Sequence, residues 1–206
     1  MRLTMSRAPF HLVVAEALVA FKSTFPDVDL EIAVEARMVD IVKQGYDAGL
    51  RYGNYLAKEM EAVQVALRSE AVLVASPSYL HGRAVPSVPD DLLDHRTIMC
   101  RSQGTGLILP WTLEASGEIV QISPRAATIV HDLSSQIDLA VRGFGIVSAP
   151  APMVADAIDT GVLSRVLPSW SSPLEAVYLY FPSRRHQSAA LRAFVGFMES
   201  RFQPAP

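Results

Sequence analysis

The order of apolar and polar positions along the chain predicts helices and strands in alternation. Phe10, Val14, Leu18, Phe21 and Phe25 recur at intervals of four, four, three and four, so they share one helical face. Pro26 stops that helix, because its ring cannot continue the hydrogen-bond ladder. Val28, Leu30, Ile32 and Val34 then alternate with Asp29, Glu31 and Ala33, the period-two signature of a half-covered strand. A short helix is expected around Met38 to Gln44, closed by Gly45 in a left-handed cap, and YDAGLRYG reads as a brief strand running into a polar loop.

Further along, the continuous apolar run Ala71 to Ala75 suits a strand covered on both faces. Pro77, Pro86 and Pro89 punctuate a loop-rich connection with room for short helices. Asp132 is placed to cap a helix carrying Leu133, Ile137, Ala140 and Val141; Gly143 ends it, and GIVSAP supplies a buried strand. Met153, Val154, Ala157 and Ile158 make another short helix closed by Gly161. VYLYF is a strand, and Leu191, Phe194, Val195, Met198 and Phe202 mark a last amphipathic helix. Strands alternating with helices argue an α/β fold with mainly parallel sheets, and two clusters of such units suggest two lobes with a cleft between them. Periodicity alone leaves open whether the lobes are sequential or interleaved.

Composition narrows the function. Half of the 206 residues are hydrophobic, which excludes a disordered or fibrous chain. Eighteen Lys and Arg against 21 Asp and Glu give a formal charge of −3, a poor balance for gripping a nucleic-acid backbone. The single Cys100 excludes an internal disulfide and a paired-cysteine zinc site; it reads as a small buried apolar residue rather than a nucleophile. The N-terminus has no apolar core with a cleavage site, and no run approaches the roughly twenty apolar residues of a membrane span. A reducing, cytoplasmic setting is expected, with no membrane partner.

No catalytic constellation is present, and no cofactor is expected. His11, His81, His95, His131 and His186 are scattered, and there is no HExxH, GxSxG or P-loop pattern. Gly143 and Gly145 in RGFGIV are better read as a helix cap and a tight strand entry than as a nucleotide loop. Trp111 and Trp170 read as packing residues.

Seven phrases occur in order: AFKSTFPDVDLEI, VDIVKQGYDAGLRYG, VLVASPSYL, PDDLLDHRTI, AVRGFGIVSAP, IDTGVLSRVLPSW and RRHQSAALRAFVGF. Together they resemble the effector-binding domain of LysR-type bacterial transcriptional regulators, from about Arg2 to about Phe202. The resemblance implies two Rossmann-like lobes joined by two crossing strands, similar to type 2 periplasmic binding proteins. Lobe I would comprise residues 1–72 plus 175–206, and lobe II residues 73–174, with Ala71 to Ala75 and Val177 to Phe181 as the crossing strands, apolar because both lobes pack them. Family members carry an N-terminal winged helix-turn-helix that does not fit before Arg2, so an excised domain or truncated product is expected, binding DNA only through that missing part.

The resemblance also implies a small effector in the inter-lobe cleft and sensing coupled to oligomer arrangement. Ser6 and Arg7 lie between the first strand and first helix, where a hydroxyl and exposed N–H groups suit a carboxylate, unless Ser6 merely ends the strand. Arg51 and Tyr52, with the loop to Asn54, fall at the cleft mouth; Arg51 could grip an anion, or could equally hold Asp47 or Glu70. Arg101 and Ser102 open a variable loop in lobe II, and Thr128 to His131 precede the helix capped by Asp132. A free-standing solute-binding protein is the rival reading, and an enzyme the third. A homodimer is expected through the first helix, with a tetramer in the full-length protein, because Leu12, Val13 and Val19 would form a second apolar flank.

Overall fold

A computed structural model of the chain describes residues 1–35, 37, 39–53, 60–101, 106–124, 127–183 and 187–202. The chain divides into two compact units: unit 1 is Met1–Arg68 with Glu175–Pro206, and unit 2 is Ser69–Leu174.

Unit 1 is built on a five-stranded sheet of β1 (Arg2–Met5), β2 (Glu31–Val34), β3 (Ala48–Tyr52), β4 (Met60–Ala66) and β13 (Val177–Pro182), in the order β2-β1-β3-β13-β4. β1 runs parallel to β2 and β3, and β13 is antiparallel to both its neighbours. Alternate residues of each central strand point to one face. Leu3, Met5, Ala48, Leu50, Val177, Leu179 and Phe181 meet a helical layer there that includes Phe21 and Phe194. Those two rings pack edge to face at 5.0 Å and join α2 (Ala15–Thr24) to α6 (Ala189–Phe202).

The first helix is less regular than its sequence pattern implies. α1 (Arg7–Pro9), a π-helical turn (Phe10–Val14) and α2 follow without a break. A π turn carries more residues than an α turn, so it rotates the side chains that follow. Val13 and Val14 are therefore both buried in the core, at 3% and 0% exposure. Val13 does not belong to a second apolar flank, as the α-helical spacing had implied. Leu12 is half-buried against the same core, and Val19 alone of the three is exposed, at 71%.

Two more local expectations change. The strand expected from Val28 begins only at Glu31, since β1 offers backbone partners from Arg2 onward; Val28 and Leu30 still pack against the core. The helix expected to end at Gln44 is a set of turns closed by bonds from Gln44 N to Asp40 O and from Tyr46 N to Ile41 O. Asp40 accepts from the Lys43 amide and pins the turn. Met38 lies outside the described residues. Gly45, Gly143 and Gly161 all adopt left-handed φ, +71°, +80° and +73°, as their positions at chain reversals demand.

Unit 2 has a six-stranded sheet of β5 (Ser69–Ala75), β6 (Thr97–Met99), β9 (Ala127–Ile129), β10 (Ile146–Pro150), β11 (Ser164–Val166) and β12 (Ser172–Leu174). β10, β6 and β9 are parallel; β5 is antiparallel to β10, β11 and β12. One face, with Val72, Val74, Ile98, Val147 and Ala149, packs against α4 (Leu133–Val141) and α5 (Ala151–Asp159). The other face, with Leu73, Ala75, Met99 and Ile146, is covered by Tyr79 of the short α3 (Pro77–Leu80), by Leu92, and by Trp111, Leu113 and Ile122 of the hairpin β7 (Trp111–Ala115) and β8 (Glu118–Ile122).

The chain passes between units at Arg68–Ser69, just before β5, and at Leu174–Glu175, just before β13. Neither run needs a second lobe to explain its apolar character. Both faces of β5 are buried within unit 2, and β13 pairs with β3 and β4 of unit 1.

Candidate functional site

In open α/β sheets ligands collect beyond the carboxyl ends of parallel strands, where helix starts present free N–H groups. In unit 1 that end is formed by β1 and β3. Their register pairs Met5 with Leu50, so the following residues, Ser6 and Arg51, sit on neighbouring strand ends. Ser6 is extended (φ −80°, ψ 161°), and its side chain forms no cap bond to the helix it precedes. Arg7 opens that helix.

Arg51 turns away from both of its expected carboxylates. Asp47 accepts the Arg2 amide at 2.7 Å, and Glu70 pairs with Arg165 at 3.8 Å. The Arg51 side chain instead lies across β1 at 3% exposure. Its terminal nitrogens donate to the Leu50 carbonyl at 2.9 Å, the Thr4 hydroxyl at 3.1 Å and the Arg37 carbonyl at 3.4 Å. All three acceptors are neutral, and Nε–H has no partner. Burial pushes the guanidinium below its usual range, opposed by Tyr180, Glu35 and Tyr46 nearby.

The sequence expectation missed this surrounding group. Thr4 is fully buried and donates onward to Glu35 at 3.2 Å, and Glu35 also accepts from the Tyr46 hydroxyl at 3.4 Å. Tyr180 stands across from Gly49, where a Cβ would lie 2.4 Å from the ring's Cζ, so only glycine leaves the ring its place. The signal was present in period-two alternation: AGLRYG puts Gly49 and Arg51 on one strand face, and VYLYF puts Tyr178 and Tyr180 opposite them. Tyr52 falls on the other face. It packs against the helical core, and burial pushes its phenol up to about 12. Arg51 and Tyr52 therefore do not share a site. Asn54 lies outside the described residues.

In unit 2 the parallel strands β6 and β9 pair Met99 with Ile129, which sets Arg101 beside the segment from Thr128 to His131. Arg101 donates to the Gly106 carbonyl at 2.6 Å and bridges to Ile108. Thr128 is half-buried in β9, and His131 is exposed just before α4. Asp132 accepts from the Ser135 amide at 2.8 Å, the cap read from the sequence. Gln136 donates to the Val130 carbonyl at 2.6 Å and fixes the strand-to-helix turn. Cys100 is half-buried and its thiol is pushed up by burial, the opposite of an activated nucleophile. Ser102 lies outside the described residues. Trp111 is buried in a core cluster of unit 2 and Trp170 packs against that cluster, as packing residues do. Among the described residues no three His, Cys, Asp or Glu are grouped to hold a metal ion.

The LysR substrate binding domain family matches residues 1–203 of this chain. The chain belongs to that family. Among its LysR relatives, the HTH-type transcriptional regulator PgrR of Escherichia coli strain K12 is 28% identical over 94% of this chain and 65% of its own length. A putative transcriptional regulator of Pseudomonas aeruginosa is 32% identical over 83% of this chain and 56% of its own. The chain thus spans less than two thirds of these relatives. The regulatory domain of CrgA from Neisseria meningitidis superposes with a TM-score of 0.81 at 20% identity, covering 98% of both chains. The regulatory domain of AphB from Vibrio vulnificus gives 0.75 at 24% identity, over 97% of this chain and 96% of that one. The α/β fold is that of LysR effector-binding domains, similar to type 2 periplasmic binding proteins, and the relatives are described as regulators rather than enzymes. Among the described residues no helix is long and apolar enough to cross a membrane.

Proposed function

We propose that the chain is the ligand-sensing part of a longer, cytoplasmic LysR-type regulator and that it binds a small anionic effector. The residues proposed to contact it are Ser6, Arg7, Arg51, Arg101, Ser102, Thr128 and His131. DNA contact belongs to a helix-turn-helix of the full-length protein. The observation that carries the anionic reading is Arg51, a buried cation whose protein acceptors are all neutral and whose Nε–H is unpaired. The effector shifts the arrangement of subunits through a difference in its affinity for the two states. A thermal-shift screen of mono- and dicarboxylic acids, followed by calorimetry, tests this. Alanine at Ser6 or Arg101 is expected to weaken the best acid by roughly tenfold or more, the loss of one charge-assisted hydrogen bond. Unchanged affinity in both variants would remove the site assignment.

Self-association through the first helix is part of the same proposal. It rests on Val19, exposed on α2, with Leu12 half-buried nearby. Val19→Asp is expected to lower the mass in sedimentation toward 22.4 kDa while leaving the fold intact. A mass that never exceeds the monomer value at micromolar concentration would count against the dimer.

A further inference from the structure

We propose that unit 1 encloses a site for one small monoanion, a halide or the head of a small carboxylate, between the guanidinium of Arg51 and the hydroxyl of Tyr180. Both side chains are 3% exposed, and each carries a buried polar atom without a partner, Arg51 Nε and Tyr180 Oη. The register of β3 and β13 makes them diagonal neighbours on one sheet face, since Tyr178 stands opposite Arg51 and Tyr180 opposite Gly49. Diagonal pairs in an antiparallel ladder lie within reach of long side chains. Gly49 fixes the position of the hydroxyl, because a Cβ there would lie 2.5 Å from Oη.

The chemistry of the missing partner follows from what the two atoms can do. A guanidinium N–H only donates, and a buried phenol left with no acceptor needs one for its own proton. Two donors face no acceptor. The charge is also incomplete: Glu35 is the carboxylate nearest in effect, yet it accepts from Thr4 and Tyr46 and forms no ion pair with Arg51. A buried cation without a counter-ion is costly, and an anion accepting from both groups would supply the charge and both bonds. Size is bounded by packing, since Val39, Ile41, Tyr46 and Met60 close over Tyr180. A bulky anion has no room. The proposal deepens the effector reading and rests on the same Arg51 Nε; alanine at Ser6 or Arg101 tests the effector without touching this site, and Tyr180→Phe tests this site alone.

The test uses the full chain in thermal-shift titrations with sodium bromide, formate or acetate against sodium gluconate at constant ionic strength. It compares the wild type with Tyr180→Phe, which keeps the ring in its packing. Saturable stabilisation of the wild type is expected, with the apparent affinity at least about tenfold weaker in Tyr180→Phe, the loss of one hydrogen bond to a charged group. In crystals grown with bromide, an anomalous peak is expected within hydrogen-bond distance of Arg51 Nε and Tyr180 Oη. Response to formate and acetate but not bromide identifies a carboxylate head; response to bromide as well identifies a free anion. Equal titrations in the two proteins, or no stabilisation of the wild type over gluconate, would overturn the site.

Discussion

In unit 2 both faces of the sheet are mainly apolar, with Thr97 of β6 a buried exception: alternate residues of β5, Leu73 and Ala75 against Val72 and Val74, enter two separate apolar clusters. In unit 1 only the helical face is. The opposite face carries the buried Thr4, Arg51 and Tyr180, with Gly49 leaving room for the Tyr180 ring and Val39, Ile41, Tyr46 and Met60 packed against that ring. Buried polar groups in unit 2 lie chiefly at strand ends, as where Tyr79 accepts from the Arg96 amide at 2.9 Å and meets His95 Nδ1 at 3.1 Å. A sheet face that the hydrophobic core does not need can hold a charge and a specific ligand geometry. A face that closes the core cannot.

Charge placement breaks the comparison most directly. Val74 is 0% exposed, and Val74→Asp should leave unit 2 without a cooperative transition in urea, a loss on the order of 4–5 kcal/mol or more. Arg51→Met should fold with stability within about 1–2 kcal/mol of the wild type, since an uncompensated charge gives way to an apolar chain of similar length. If both variants unfold alike, the distinction between the faces fails. Val13→Asp belongs with the first of these and Val19→Asp with the second, because Val13 is buried in the π turn and Val19 is exposed on α2.

Smaller effects sharpen the contrast. Tyr79→Phe leaves the Arg96 amide and His95 without their shared partner and should cost about 1–3 kcal/mol in chemical denaturation. Unchanged stability would mean that this end of unit 2 is wetter than its burial implies. On the core side of unit 1, Tyr52 has its phenol raised by burial from 10.0 to about 12. Its contribution is fully present below pH 10. Between pH 10 and 12 the unfolded chain ionises Tyr52 and the folded chain does not, so stability falls as pH rises through that window, by up to about 2 kcal/mol. Tyr52→Phe should flatten that part of the alkaline profile, and an identical profile would place the alkaline loss elsewhere. Asp132→Ala removes the cap on α4 and should cost about 1 kcal/mol, read from the thermal midpoint.

The elements that were legible had local signals. The apolar stripe of α2, the run in β5, the Asp132 cap and the left-handed glycines each depend on a few neighbouring residues. β4 was not read, although Val63 and Val65 alternate with polar and small residues, because its weak pattern matters only once β13 pairs with it. The candidate site was legible as a set of strand ends. Ser6 and Arg51 do follow paired residues of β1 and β3, and Arg101 stands beside Thr128 to His131. Thr4, Glu35, Tyr46 and Tyr180 were not, since no two of them are close in the sequence.

Periodicity measures how much of each residue is covered and says nothing of what covers it. By itself the sequence determined the α/β alternation, the Asp132 cap, the glycine chain reversals and a chain charge unsuited to nucleic acid. Tertiary structure alone decided that Val13 turns inward, that β5 is buried on both faces by its own unit, and that Arg51 passes over two carboxylates to lie against Thr4. Those outcomes depend on contacts between residues tens of positions apart. Their energies come from desolvation and pairing that exist only after the strands have met.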